Sequence, residues 1–192
     1  RFTHLKHFVR AKYNADYLLP LASIYWDAEP HSVSAYEQHY AFNDGTVLTR
    51  FRTDAYSVEV LSWFDAVDRD VAGFRIDVQG QCPSIIVAPL RELTVHYGQH
   101  MQQSFSGEIR GDTWQGSLRC LDRQTPFSVK ATAEMQSTGE GIRLKLQPDR
   151  NFVLVAASDG ISGSGEKSLQ QTTDWWHTTW NDSGWLDLPD ET

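Results

Sequence analysis

The sequence predicts an all-β protein: a large antiparallel β-sandwich, then a linker and one short tryptophan-rich helix. Three observations carry that prediction. Apolar and polar residues alternate with period two through about residue 158, as strands with one buried face do. Turn residues interrupt the alternation at regular, strand-length intervals, the pattern of sandwiches and barrels. Residues 159–167 then break the pattern, and the apolar residues beyond recur at helical spacing.

The elements follow in order. Glu37–Phe42 and Thr46–Thr53 flank Asn43-Asp44-Gly45, a hairpin signal because those residues tolerate positive φ. Tyr56–Phe64 follows, then the polar turn Asp65–Asp70, then Val71–Val78 with Ala72, Phe74, Ile76 and Val78 on one face. Ser84–Val87 is a short apolar run before Pro89, and Glu92–Tyr97 alternates through Leu93 and Val95. Ser104–Ile109 turns at Arg110-Gly111-Asp112 into Thr113–Cys120. Phe127–Ala133 turns through Gly139-Glu140-Gly141 into Ile142–Leu146, and Gln147-Pro148-Asp149-Arg150 leads into the apolar run Asn151–Ala157. That makes roughly a dozen strands, more than an immunoglobulin-like sandwich needs. After the linker Ser168 is a candidate N-cap. Leu169, Thr172, Trp176 and Trp180 then share a helix face, broadened by Trp175 and Thr179. Gly184 suits the residue after a helix, and Leu186-Asp187-Leu188-Pro189-Asp190 reads as the entry to another element.

Composition narrows the partners. At 192 residues the chain is one domain by size. It buries about 70 % of its unfolded surface and needs no metal or disulfide staple. A formal net charge of −8 argues against nucleic acid, which needs a basic face, and against an anionic membrane surface. No apolar run approaches the ~20 residues that span a bilayer. Cys82 and Cys120 fit either one disulfide or two buried thiols. The outlying residue type is tryptophan, with seven copies. Its flat apolar face stacks on sugar C–H surfaces, although most such rings are core.

Site motifs are sparse. Asp65, Asp68 and Asp70 offer hard oxygen ligands in one turn, but the loop lacks the glycine and late glutamate of a calcium loop and reads as a solvated turn. His4 with His7, and His96 with His100, lie in strand or turn contexts with no carboxylate motif beside them. Gly160, Gly163 and Gly165 lack the lysine-serine pair of a phosphate loop. Neither cysteine has a supporting histidine for nucleophilic chemistry. Twenty-five acidic residues supply the type needed for glycoside hydrolysis, yet the spacing singles out no pair. No metal, cofactor or catalytic residue is assigned.

Two stretches carry a family resemblance. One is residues 36–51, Tyr36 to Phe51, an early strand joined through a glycine turn to the next. The other is Trp175-Trp176-His177-Thr178-Thr179-Trp180, followed by Leu188-Pro189-Asp190. Together they resemble the front half of bacterial six-hairpin glycoside hydrolases, in which a β-sandwich precedes an (α/α)6 barrel, as in families 65 and 95 and their uncharacterised relatives. The resemblance implies a supersandwich of the galactose-mutarotase type and a carbohydrate-processing parent. It also implies that the acid and base carboxylates lie in the barrel, beyond Thr192. Such enzymes are expected to be secreted or periplasmic.

The resulting expectation is a sandwich over 1–158 and a linker with a Trp-rich helix over 159–192, leading to a helical-barrel domain not contained in this chain. Trp175, Trp176, Trp180 and Trp185 are then interdomain packing residues, because burying two or three indoles contributes several kcal/mol (about 25 cal/mol per Å2) to docking. The alternatives are a stand-alone carbohydrate-binding module and a structural or adhesion sandwich with no sugar role. A module needs an exposed aromatic platform; Trp26 and Trp114 are the candidates, while Trp63, in a strongly alternating strand, reads as core.

Overall fold

The computed structural model describes residues 8–10, 18–20, 22–27, 32–68, 70–89, 92–95, 99–120 and 123–183. Among them are fifteen strands, numbered in chain order, and one helix. Nine strands form one sheet in the order β4 (Ala35–Ala41), β5 (Thr46–Arg52), β6 (Tyr56–Phe64), β7 (Val71–Gly80), β15 (Asp149–Ala156), β12 (Arg123–Ala131), β11 (Thr113–Cys120), β10 (Gln99–Arg110) and β9 (Glu92–Val95). Four form a second sheet in the order β13 (Glu134–Ser137), β14 (Ile142–Lys145), β8 (Ser84–Pro89) and β3 (Ala22–Asp27). β1 (Phe8–Arg10) and β2 (Leu18–Pro20) pair as a separate antiparallel ribbon. The chain meanders from β4 to β7, crosses to the second sheet as β8, and finally inserts β15 between β7 and β12. This is the all-β antiparallel sandwich that the alternation predicts.

The main core lies between the two large sheets. Val58, Phe74, Ile76 and Val78 from β6 and β7 meet Ile85, Val87, Ile142 and Leu144 from the second sheet. Val153 and Val155 of β15 join that core, whereas Phe152, Leu154 and Ala156 form a second cluster with Trp63, Val71 and Leu169. β15 is thus buried on both faces, which is why it reads as an unbroken apolar run. The turn before it is held by Asn151, whose Nδ2 donates to the carbonyls of Gln147 at 2.9 Å and Ile76 at 3.2 Å.

The second cluster is covered by α1 (Gly165–Asp182). Here the structure corrects the sequence reading. Ser164, not Ser168, is the N-cap: its hydroxyl accepts from the Lys167 amide. The connector therefore ends at residue 164 and is pinned to the sandwich. The Ser128 hydroxyl donates to the Ser158 carbonyl and the Lys130 ammonium to the Gly163 carbonyl, at 2.5 and 2.9 Å. Gly165 opens the helix where a Cβ would lie 2.4 Å from the Phe152 ring, so only glycine lets the helix sit this close to β15.

Four strands escape the sequence reading. β1, β2 and β3 lie in the front segment, and β13 is a polar edge strand with no apolar alternation to mark it. β10 is also longer than its apolar segment, running from Gln99 to Arg110. Cys82 is a free thiol, not half of a disulfide. Burial, and then the Asp149 charge, push it above its ordinary pKa.

Candidate functional site

Trp63 sits at the end of β6 on the helix-covered face, over Gly73 of β7, where a Cβ would lie 2.2 Å from the indole. Its Nε1–H donates to the Ser168 hydroxyl at 2.9 Å, and that hydroxyl donates to Asp65 Oδ2 at 2.5 Å. Asp65 Oδ1 accepts the Val67 and Asp68 amides, each at 2.8 Å. One turn along, Thr172 Oγ1 accepts the Ala66 amide at 3.2 Å. The carboxylate read as part of a solvated turn is therefore buried and spends its acceptors on the turn and the helix. Among the described residues no group of three or more His, Cys, Asp or Glu is placed to hold a metal ion. Gly165, Ser168 and Thr172 are small and recur at three and four, a sign of a close-packed helix face that a search for apolar residues passes over.

The C-terminal half of α1 lies against the β4–β5 hairpin. Trp180 Nε1–H donates to the Phe42 carbonyl at 2.6 Å, and His177 Nε2 lies 2.7 Å from Asp44 Oδ1. The Trp176 indole lies on Gly45, which has φ +65°; a Cβ there would be 2.0 Å from the ring. Trp176 stands edge-on to Trp175 at 5.1 Å and tilted to Trp180 at 6.2 Å. Phe42, on the hairpin, is 72 % exposed, and Trp175 is 42 % exposed. The result is an aromatic seam, partly seated on this chain's own hairpin and partly open. Gly45→Ala is expected to cost about 1–3 kcal/mol, because it combines positive φ with overpacking. Urea denaturation followed by tryptophan fluorescence checks it, and an unshifted midpoint contradicts this packing.

Beside the helix the outer face of the nine-stranded sheet carries a row of ion pairs. Arg50 bridges Glu59 at 2.7 Å and Glu37 at 3.8 Å; Arg75 bridges Glu59 at 3.1 Å and Asp77 at 2.9 Å; Arg150 adds Asp77 at 3.2 Å. Glu37 also bonds His39, whose hydrogen bond and charge hold its carboxyl below the ordinary range. A groove of about 770 Å3 runs along this row past Tyr36, Arg52 and Gln79. Glycosidic cleavage needs one carboxylic acid and one free carboxylate across a cleft. This row instead ties each carboxylate to a cation, and it forms a ladder across five strands rather than an acid–base pair.

Of the two sugar-platform candidates, Trp114 is in the core and Trp26 is partly exposed. Trp114 is 1 % exposed and packs between Phe105 and Phe127. Trp26, on edge strand β3, is half-buried with its ring edge-on to Phe51 at 5.3 Å. Trp114 therefore presents no open face for stacking. Trp185 and Leu188-Pro189-Asp190 lie outside the described residues, as do His4, His7 and His96; the backbone of His100 lies in β10.

No family model matches this sequence, and no curated protein matches it. A solved structure described as "Putative kojibiose phosphorylase from human microbiome" matches the fold with TM-score 0.60 and 9 % identity. The match covers 82 % of this chain and 27 % of that one. At that identity the likeness shows a shared fold, and this chain spans about a quarter of its neighbour's length. No helix among the described residues is long and apolar enough to cross a membrane.

Proposed function

We propose that this chain is the non-catalytic sandwich domain of a carbohydrate-processing enzyme, of the kind in families 65 and 95, and that it supports an (α/α)6 catalytic domain. The single observation that carries the reading is the fold match over 82 % of this chain to part of a chain described as a phosphorylase. The aromatic seam supports it: Trp175, in the C-terminal half of a helix seated on the sheet, is half-open. In this reading Trp175, Trp176, Trp180 and Trp185 pack against the catalytic domain. The hairpin fixes Trp176 and Trp180 in place before docking.

The chain alone is expected to show no turnover of aryl glycosides, and none of kojibiose with inorganic phosphate. Turnover that disappears on replacing a carboxylate of this chain overturns the proposal. So does a stop codon directly after codon 192 in the gene. Several hundred further residues patterned as paired helices is the expected finding.

A further inference from the structure

β4 is the outermost strand of the nine-stranded sheet, and no strand pairs with its outer side among the described residues. Its residues are exposed from Ala35 to Tyr40 on both faces. Sheet edges are normally blunted by lysine, proline, a bulge or a covering segment. β4 contains neither residue and keeps an unbroken register with β5. Its sequence, Ala35-Tyr36-Glu37-Gln38-His39-Tyr40-Ala41, reads almost the same in both directions about Gln38.

We infer that β4 is a self-pairing edge, through which a second copy of this chain adds antiparallel about a two-fold axis at Gln38. The occupant follows from charge and shape. In that register Ala35 faces Ala41, Tyr36 faces Tyr40 and Glu37 faces His39 of the other copy, so every opposed pair is matched. Directly opposed residues share a face in an antiparallel pair, and aromatic and opposite-charge pairs are the stabilising ones. On the outer face two Glu37 carboxylates and two His39 imidazoles alternate between the two Arg50 side chains. This continues the ion-pair row of each sheet into the other. On the inner face each Tyr36–Tyr40 pair is flanked by Phe42, whose ring stacks on Tyr40 at 6.2 Å and 17°. The interface is isologous, as a two-fold requires. The same strand with one charge reversed would set like charges in opposition, which selects against wrong partners. This assignment is independent of the proposed enzymatic context.

The test is sedimentation equilibrium on the whole chain. An interface made by one edge falls in the small class, below about 1,200 Å2, so the concentration series extends to roughly 100 μM, the regime of weak complexes. The mass is expected to rise from 21.8 kDa toward twice that value. His39→Glu places glutamate opposite Glu37 and is expected to weaken association at least tenfold. Glu37→Lys combined with His39→Glu restores an opposed pair and is expected to recover the dimer. Both positions are on the surface, so circular dichroism should match the parent in each variant. A chain that stays monomeric throughout overturns the inference. So does a dimer indifferent to His39→Glu, or a loss that the reversed pair does not rescue.

Discussion

Trp114→Ala is expected to lower the unfolding free energy by about 3–5 kcal/mol, the range for deleting a buried tryptophan. The indole is 1 % exposed and lies in the main core. Its ring is 5.8 Å from Phe127 and 6.0 Å from Phe105. Beneath it the cross-strand pair Gly107 and Gly116 forms a side-chain-free floor, where a Cβ on either residue would come within 2.5 Å of the ring. Two facing backbones in a β-sheet relax little, so the cavity left by alanine stays open. Against a total stability of about 5–15 kcal/mol for a domain, this is a large share, and the urea midpoint should fall with m unchanged. Trp175→Ala, at a site 42 % exposed, is the internal contrast and should change the unfolding free energy by less than about 0.5 kcal/mol. If Trp114→Ala left the midpoint in place and abolished a saccharide-induced fluorescence change, the ring would be a binding platform and the packing described above would be wrong.

Where local chemistry decides the element, the sequence is informative. Asn43-Asp44-Gly45 marks a hairpin because its glycine must take positive φ, and the strands pair across it as expected. Val71–Val78 alternates because one face meets the second sheet, and the structure buries Ala72, Phe74, Ile76 and Val78 there. β13 shows the limit: Glu134–Ser137 pairs through its backbone with β14 while its side chains stay largely in solvent, and backbone pairing leaves no trace in hydropathy. The same limit hid the site. Trp175, Trp176 and Trp180 stand out by composition, but the sequence says nothing of the hairpin carbonyl that receives Trp180 or of Gly45 beneath Trp176. Those contacts join residues more than 130 positions apart. Trp114 misleads for a related reason: a core indole and a surface platform are the same residue type, and only the two glycines on neighbouring strands tell them apart.

Asp65→Ala is the second large effect, and it tests how the helix is attached. The carboxylate is buried and is the shared acceptor for the Val67 and Asp68 amides and the Ser168 hydroxyl. Alanine removes the acceptor, leaving the Ser168 hydroxyl bare in a buried site and the Val67 and Asp68 amides unpaired in a partly exposed turn. A buried donor stripped of its partner costs about 1–3 kcal/mol. Three donors lose this acceptor, the two turn amides only in part because water reaches them, so the net loss is expected near 2–4 kcal/mol. The loss should be uneven. Ser168 accepts from Trp63 and donates to Asp65, so α1 is held to the sheet through the very group that is lost. Amide exchange along Gly165–Asp182 should therefore accelerate more than exchange in β7 or β15, since elements open locally when their own attachments weaken. Combining Asp65→Ala with Ser168→Ala should cost less than the sum of the two, with a coupling of about 1 kcal/mol or more for directly bonded partners. Additive losses, or a helix that exchanges in step with the central strands, would show that apolar contact with Phe152 and Leu154 alone fixes α1. The aromatic seam would then be positioned by packing rather than by the Trp63–Ser168–Asp65 bridge.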